Sequence, residues 1–488
     1  MALIDRQMER RELRQLASKA GAHLAVLYGR RRIGKTYLLQ HLWEQAEVFY
    51  YLASDTTPEF NRRELIEELA AQTGRTEALK PEDLGTWRSV FRELLRVPKK
   101  GPFVIILDEF QYLLGGEDDV RSQLVAIWDT LETDRSLLMV LCGSAVRTMR
   151  ELDDAQAPLY GRVDWKHFLA PFDYWFTGQM SPFDQPRKRA KAYGVLGGTP
   201  DFLASLDPNE TFRENVARIA LSPRGHVRHI AESIIEQERG LRNVPQYRSI
   251  LTAIARGRTQ LSEIADLTGM KLGTPLRRKV GKLESLGFVE GRRNFDASRT
   301  DPYRYRLRDP ALRFNFAVVD TLRNELETTN PTQLWGDLVV PRLRTHMGHI
   351  FETIVHQAYL RLRESSDLPT VSNWGYWQGI DRNRRSIELD IVARLSDGTL
   401  MTGEVKWNQK PVGAEVYTDH VQNLERLADS GRKWAHDALE EDATLLFAAA
   451  GGFDDGFEAV TSTADQRVLL WTLDDIYAAE AGGGANVG

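Results

Sequence analysis

The chain has 488 residues, 42% hydrophobic and 27% charged, with a formal net charge of −5. That length suits three or four domains, and the composition is that of an ordinary soluble globular protein. A single cysteine, Cys142, excludes an internal disulfide framework and a Cys-rich zinc site.

No apolar run is long enough to cross a bilayer, and the start Met-Ala-Leu-Ile-Asp-Arg is charged too early for a secretion signal. A cytoplasmic location with no membrane partner is expected. The overall charge points to no nucleic acid, so such a case must come from local charge.

Residues Met8–Ala17 have the spacing of an amphipathic helix that leads into a first strand. The apolar run from His23 ends in Gly29-Arg30-Arg31-Arg32-Ile33-Gly34-Lys35-Thr36, and a helical pattern begins at once with Tyr37. The loop fits G-x-x-x-x-G-K-[ST] at every fixed position. Gly29 and Gly34 permit backbone conformations that aim successive N–H groups at phosphate oxygens, and the helix adds its positive N-terminal end. Lys35 would reach the β- and γ-phosphates, and the Thr36 hydroxyl would hold Mg²⁺.

Val48–Leu52 reads as a second strand, and Arg62–Gln72 and Trp87–Leu95 as helices. Phe103-Val-Ile-Ile-Leu107-Asp108-Glu109 is a buried strand ending in two acids. Parallel strands are near-continuous apolar runs, and ligands sit at their carboxyl ends. Asp108 is therefore placed to hold Mg²⁺ through water, and Glu109 to polarise the water that attacks the γ-phosphate. A further strand, Leu137–Leu141, ends in Cys142-Gly143-Ser144. The Ser144 hydroxyl has two readings, a contact to the γ-phosphate or attacking water and a helix N-cap. Arg162, after a tight turn, is equally a surface residue or a charge-stabilising finger. A finger acting in trans would require a homo-oligomer.

The motifs Gly29 to Thr36, Leu107-Asp-Glu-Phe-Gln111, Cys142-Gly-Ser144, Leu159-Tyr-Gly-Arg162 and Leu196-Gly-Gly-Thr-Pro200, in this order, resemble the archaeal-type ATPase family near the STAND branch of the AAA+ ATPases. The resemblance spans the chain to about residue 240. It implies that Lys35, Thr36, Asp108 and Glu109 serve the nucleotide, which it makes ATP. It also implies that Gly198 and Pro200, in a helical lid, lie near the base.

Helical stretches such as Arg187–Tyr193 and Phe212–Ile219 would form that lid over 171–240, after an ATPase core over 1–170. From Tyr247 the pattern changes. Helices over Tyr247–Ala255 and Leu261–Thr268 precede a third, capped by Thr274 with Pro275 at N1, that runs to about Leu286. Two strands around a polar loop follow, at Gly287–Gly291 and Tyr303–Leu307. Three helices and a hairpin make a winged helix-turn-helix, assigned to 241–325. Between Lys271 and Arg308 stand eleven basic and four acidic side chains, +7 within a chain of −5. Such a face would neutralise DNA phosphates, although winged helices also serve as protein contacts or spacers.

The last domain is placed at 326–480, with a disordered tail at 481–488. Leu343–Leu362 reads as a helix, Trp374–Gln378 as a strand, and Ser386–Arg394 and Thr399–Trp407 as a hairpin. A two-residue turn at Asp397-Gly398 would set Asp390 opposite Val405. A three-residue turn, Ser396 to a left-handed Gly398 in a G1 bulge, sets Asp390 opposite Glu404. We adopt the latter, because the other register buries charges among Ile, Leu and Val.

Asp390 and Glu404 would then bind Mg²⁺ or Mn²⁺ through hard oxygens. Lys406 would orient the attacking water or stabilise the transition state, and Glu352 would reach in from the preceding helix. Asp390, Glu404-Val-Lys406 and helical Glu352 resemble the PD-(D/E)XK nuclease superfamily, with Leu389-Asp390 where Pro-Asp is usual. The alternative is a charged, solvated hairpin face. His346, His349, His356 and His420 show no metal-ligand spacing, while Gln422 stands where that superfamily often has a supporting polar residue.

The expected fold class is therefore multidomain α/β: a P-loop parallel-sheet ATPase with helical lid, a winged helix-turn-helix and a C-terminal α/β restriction-endonuclease-like domain. The expected function is ATP hydrolysis coupled to metal-dependent cleavage of DNA. A nucleotide-dependent switch or scaffold is the second expectation.

Overall fold

The computed structural model describes residues 6–478, apart from 45, 76–78, 97–100, 117–118, 132–134, 237, 239–240 and 364–366; the tail expected at 481–488 lies outside the described residues. The chain forms two compact units, Met1–Pro171 with Thr199–Asp201, and Phe172–Gly198 with Phe202 onward.

In the first unit, β1 (Gly21–Tyr28), β2 (Glu47–Leu52), β3 (Phe103–Asp108), β4 (Ser136–Gly143) and β5 (Trp165–Phe168) form one sheet in the order β2-β3-β4-β1-β5. Every neighbouring pair is parallel. The central strands read as unbroken apolar runs because both faces are covered. Alternate residues serve separate clusters. Leu24, Val26, Ile105, Leu107, Met139 and Leu141 pack on one side, and Ala25, Leu27, Val104, Ile106, Leu138 and Val140 on the other. Parallel strands bring the ends of β1, β3 and β4 to one edge, and there the glycine loop begins.

The second unit holds a mixed sheet of β8 (Val371–Ile380), β9 (Ser386–Leu395), β10 (Leu400–Lys406), β11 (Thr444–Ala449) and β12 (Arg467–Trp471), in the order β12-β11-β10-β9-β8. β8, β9 and β10 pair antiparallel, and β10, β11 and β12 parallel. Helix Val340–Leu362 packs with Ile391, Ala393, Met401 and Val405. Helix Ala414–Asp429 packs through Leu424 and Leu427 on Val392 and Leu400. A Cβ at Gly403, in the middle of β10, would stand 1.8 Å from the Leu446 carbonyl oxygen. Gly403→Ala is therefore expected to cost at least about 1–3 kcal/mol, the usual cost of overpacking, as read by urea unfolding.

The helical stretch expected as a lid joins this second unit. Tyr193, Val195, Phe212 and Ile219 share one apolar cluster with Met347, Phe351 and Val405. Arg187, on helix Pro186–Leu196, donates to the Asn408 carbonyl at 2.7 Å. Of that stretch, only Pro171 and Thr199–Asp201 belong to the first unit. The stretches expected as separate domains at 171–240, 241–325 and 326–480 thus fall largely in one compact unit, the first and last sharing an apolar cluster and the middle one keeping its own.

Within it, helices Val244–Ala255, Leu261–Thr268 and Thr274–Ser285 precede an antiparallel hairpin of β6 (Val289–Arg292) and β7 (Arg304–Leu307). The third helix is preceded by Gly273 (φ 150), one residue before the expected cap. Ile250, Leu276, Val280, Val289 and Leu307 share a cluster of their own. The hairpin loop is docked on the edge strand β8. The Phe295 N–H donates to the Tyr376 carbonyl at 2.9 Å. The Asn294 amide exchanges hydrogen bonds of 2.9 and 3.0 Å with the Gln378 backbone. These contacts cover part of an edge that would otherwise present unpaired backbone groups.

His346 is a core residue. Its ring is buried, donates from Nε2 to the Gly194 carbonyl at 2.7 Å and meets Phe314 edge-on. Burial, with Arg313 nearby, pushes its pKa down to about 3. Between that value and its ordinary value near 6.5 only the unfolded chain takes the proton, so acid removes stability across this window. The contribution is at most about 1.4 kcal/mol per pH unit. Unfolding at about pH 7 and about pH 5 should show His346→Gln flattening the dependence.

Candidate functional site

The Gly29 N–H donates to the Gly143 carbonyl at 3.3 Å, tying the loop to the end of β4. A Cβ at Gly29 would lie 2.4 Å from both the Leu169 carbonyl oxygen and Ile33 Cδ1, so only glycine fits. Gly34 has φ 88 and Arg32 φ 69, turning the chain back before helix Lys35–Gln40. Lys35 is buried, and its Nζ donates to the carbonyls of Gly29 (2.8 Å) and Arg30 (2.9 Å). The ammonium therefore sits on the loop itself, where incoming phosphate oxygens would compete for it.

The Thr36 hydroxyl donates to Asp108 Oδ2 at 2.7 Å, and the Tyr50 hydroxyl to the same oxygen at 2.9 Å. Asp108 Oδ1 accepts from the Glu109 N–H at 2.8 Å. A hydroxyl beside a buried carboxylate is a hard-oxygen donor set, which fits Mg²⁺. Burial and the Asp108 charge push the Tyr50 phenol up, so it stays a donor. Glu109 is left-handed (φ 53), which is uncommon for a residue with a Cβ. Its Oε2 accepts from Ser144 Oγ at 2.7 Å and contacts the Gln111 amide. Ser144 therefore holds Glu109. The helix that follows is preceded by Ala145 and has no side-chain cap.

Among the other loop residues, Ile33 is buried. Arg31 donates to the Tyr112 hydroxyl at 2.6 Å, and Arg32 pairs with Asp201 at 3.0 Å. Pro200 Cγ lies 3.8 Å from where a Gly34 Cβ would be. Arg30 is buried with the loop, whereas Tyr37 is partly exposed and stacks on His41 at 4.1 Å. Arg162 is not brought to this loop in its own chain. β5 begins level with Ala25, so Arg162, three residues earlier, lies toward the opposite edge of the sheet. There both its Nε and Nη2 reach the Asp129 carboxylate at 2.7 Å.

The second site lies on the β9–β10 hairpin. Gly398 is left-handed (φ 96), and the Leu395 N–H donates to the Thr399 carbonyl at 2.9 Å, so the turn spans three residues. The ladder runs from Leu400↔Arg394 to Gly403↔Ile391, which sets Asp390 opposite Glu404. There the backbone pairing yields to a side chain, the Val405 N–H donating to Asp390 Oδ2 at 2.9 Å. Lys406 Nζ lies 2.6 Å from Glu404 Oε2 and 3.4 Å from Asp390 Oδ2. Glu404 is only 7% exposed, so this is no solvated hairpin face.

Its other oxygen, Oε1, is 3.1 Å from Nδ1 of the fully buried His420, whose Nε2 meets the Thr402 hydroxyl at 3.0 Å. Burial and the Glu404 charge push the Asp390 carboxyl well above the usual range, against the pull of Lys406. Burial acts upward on Glu404 too, but His420 and Lys406 outweigh it and hold the group low. Burial acts downward on Lys406, and the charges of Glu404 and Asp390 outweigh it, so the ammonium persists. Two neighbouring acids are thus driven apart.

Glu352 lines a narrow pocket with Asp390, but its carboxylate faces Arg292 Nη1 at 3.9 Å and His349 Nδ1 at 3.7 Å. Among the described residues, no three His, Cys, Asp or Glu side chains converge as a metal-holding group. Two hard-oxygen carboxylates, Asp390 and Glu404, remain as the donors that suit Mg²⁺ or Mn²⁺. Gln422 is exposed, and His420, two residues earlier, is the polar group that meets the site. It was legible as the one polar member of the buried stripe His420, Leu424 and Leu427.

Residues 3–206 match a family described as an ATPase domain predominantly from Archaea. Residues 315–418 match one described as archaeal and bacterial proteins of unknown function. One uncharacterized protein of Methanocaldococcus jannaschii is 24% identical over 419 residues, 83% of this chain and 87% of that protein. A second from the same organism is 36% identical over 94 residues, 19% of this chain and 88% of that protein. Among solved structures, the Walker-type ATPase of Pyrococcus abyssi is 23% identical, with a TM-score of 0.46, covering 64% of this chain and 96% of its own. The ORC2 protein of Aeropyrum pernix, solved as ADPNP–ADP complexes, is 15% identical, with a TM-score of 0.41 over 67% of this chain and 94% of its own. No described helix is long and apolar enough to cross a membrane.

Proposed function

We propose that this chain, whose residues 3–206 match a predominantly archaeal ATPase-domain family, is an ATP-hydrolysing enzyme that acts on DNA. Its second unit cleaves phosphodiester bonds with a divalent metal. The observation that carries the second half is Lys406, whose ammonium reaches both Glu404 and Asp390, opposite each other on the hairpin.

At the nucleotide site, Lys35 exchanges its loop carbonyls for β- and γ-phosphate oxygens, while Gly29–Gly34 and helix Lys35–Gln40 offer backbone N–H groups. Thr36 and Asp108 would hold Mg²⁺, which would neutralise phosphate charge when bound. Glu109 polarises the attacking water, and Ser144 fixes the carboxylate that does so. Ser144→Ala should therefore lower turnover with little change in nucleotide affinity. Pro200 and Asp201 support the loop through Gly34 and Arg32. Arg162 serves the nucleotide only in trans, from a neighbouring subunit.

At the hairpin site, Asp390 and Glu404 would hold Mg²⁺ or Mn²⁺, which supplies Lewis acidity at the phosphorus centre when bound. Lys406 remains protonated beside two acids, so it acts as a donor to developing oxyanion charge and not as a base. His420 orients Glu404 from behind. The three helices and the β6–β7 hairpin are read as a winged helix-turn-helix, and exposed Arg277 and Arg278 on its third helix suit DNA phosphates.

A second reading has a specific basis: both oxygens of Glu404 are occupied by His420 and Lys406, and no third ligand converges among the described residues. The second unit would then be a nuclease-like fold without chemistry, in a nucleotide-dependent switch or scaffold. DNA-stimulated ATP turnover that Lys35→Ala eliminates, with cleavage dependent on Glu404, supports the enzyme. ATP turnover without cleavage, unchanged by Glu404→Ala, supports the switch.

A further inference from the structure

Period two sorts the β6–β7 hairpin into two faces. Val289, Tyr305 and Leu307 turn into the three-helix cluster. Glu290, Arg292, Arg304 and Arg306 share the other face, since Glu290 pairs with Arg306 and Arg292 with Arg304. On sequence alone these arginines count toward an open DNA-binding surface. The structure instead brings Arg292 and Arg306 to the narrow pocket that also holds Glu352, His356, Trp374 and Asp390. The docked loop, Asn294 to Asp296, fixes the hairpin in that position.

Arg292 is held but not satisfied. Its guanidinium lies 4.4 Å from the centre of the Tyr376 ring, and its side chain is only 23% exposed. The Glu352 carboxylate at 3.9 Å is beyond hydrogen-bond reach, and no side-chain hydrogen bond from Arg292 occurs among the described residues. Burial and the nearby Arg306 charge lower its pKa. A planar fork of five donors, stacked and largely removed from water, matches two oxygens of one tetrahedral anion. The pocket sets two guanidiniums against two carboxylates, with Arg306 also paired through Nε to Glu290 on the same hairpin face, a pattern suited to an anion and a cation together.

We infer that Arg292 and Arg306 grip a backbone phosphate of a single nucleic-acid strand at the Asp390 pocket, so that the cleavage site is composite, half hairpin and half sheet. This rests on the reading that the second unit acts on nucleic acid. It makes the arginines substrate-binding groups of that site, distinct from the outer surface of the three-helix module.

The test is fluorescence anisotropy of a labelled single-stranded oligonucleotide titrated with full-length protein in EDTA, so that the strand stays intact. Arg292→Gln and Arg306→Gln are each expected to weaken binding about tenfold, as loss of a charged hydrogen bond does. Each should also reduce the slope of log affinity against log salt by about 0.7, the signature of one lost phosphate contact on a single strand. Glu352→Gln should tighten binding, because it removes the negative charge that faces Arg292 in the pocket. Arg224→Gln, an exposed arginine elsewhere in the unit, is the control.

If both arginine variants match the wild type, or lose no more than Arg224→Gln with an unchanged salt slope, the inference is overturned. Circular dichroism checks folding. Should Arg292→Gln fail to fold, Arg306→Gln carries the test, its side chain being one-third exposed. Cleavage is scored separately. Arginine-dependent binding without cleavage under Mg²⁺ or Mn²⁺ keeps the phosphate site and removes the nuclease. Cleavage with arginine-independent binding does the reverse.

Discussion

Glu109→Gln is expected to lower ATP turnover by about 10²–10⁴-fold while nucleotide affinity stays within a few-fold of wild type. The amide keeps the size and shape of the side chain and still accepts from Ser144, so the loop around it persists. It loses the charge that polarises water. Lys35, Thr36 and the loop N–H groups, which make the ground-state contacts in the proposed mechanism, are untouched. Steady-state phosphate release gives turnover, and displacement of a fluorescent ATP analogue gives affinity. Lys35→Ala provides the contrast, because an ammonium that binds β- and γ-phosphates affects affinity and turnover together. Equal loss of affinity in both variants would show that Glu109 holds the loop instead of the water.

Lys406→Ala is expected to reduce DNA cleavage by about 10²–10³-fold, the range for loss of one preorganised donor at developing negative charge. Asp390→Ala should abolish it through the metal. ATP turnover should survive both, since the two sites lie in different compact units. Lys406→Arg is not expected to rescue. The ammonium meets Glu404 at 2.6 Å and Asp390 at 3.4 Å, a gap matched to a compact point charge and not to a planar fork. Agarose and denaturing gels with Mg²⁺ or Mn²⁺ give the rate. Cleavage that persists undiminished in Lys406→Ala would remove the lysine from the chemistry.

Much of both sites is legible in the chain because the constraints are local. A phosphate loop works through consecutive backbone N–H groups, so its glycines must be contiguous with Lys35 and Thr36. Asp108 and Glu109 mark the end of an apolar strand for the same reason. The Asp390–Glu404 register follows from turn length, because one residue more or fewer exchanges the two faces of the strand.

What stays hidden is long-range packing. His420 meets Glu404 only because helix Ala414–Asp429 lies on the sheet, although its place on an apolar stripe carried a signal. Arg292 and Arg306 enter a charge count equally as DNA-facing groups, and only the docking of Asn294–Asp296 on β8 turns them inward. Arg162 follows a turn at the edge of the sheet away from the phosphate loop, a position that strand pairing fixes and spacing does not. The merged second unit is hidden likewise. Helix Pro186–Leu196 has an apolar face in either case, and which partner covers it is a tertiary matter.

The most direct measurement is cleavage of single-stranded, duplex and branched DNA by purified full-length protein in Mg²⁺ or Mn²⁺, with and without ATP, beside Lys406→Ala. Metal-dependent cleavage that responds to ATP and disappears in the variant is the predicted result. ATP hydrolysis with no cleavage of any substrate under either metal would contradict it and leave the second unit as a nucleotide-governed switch.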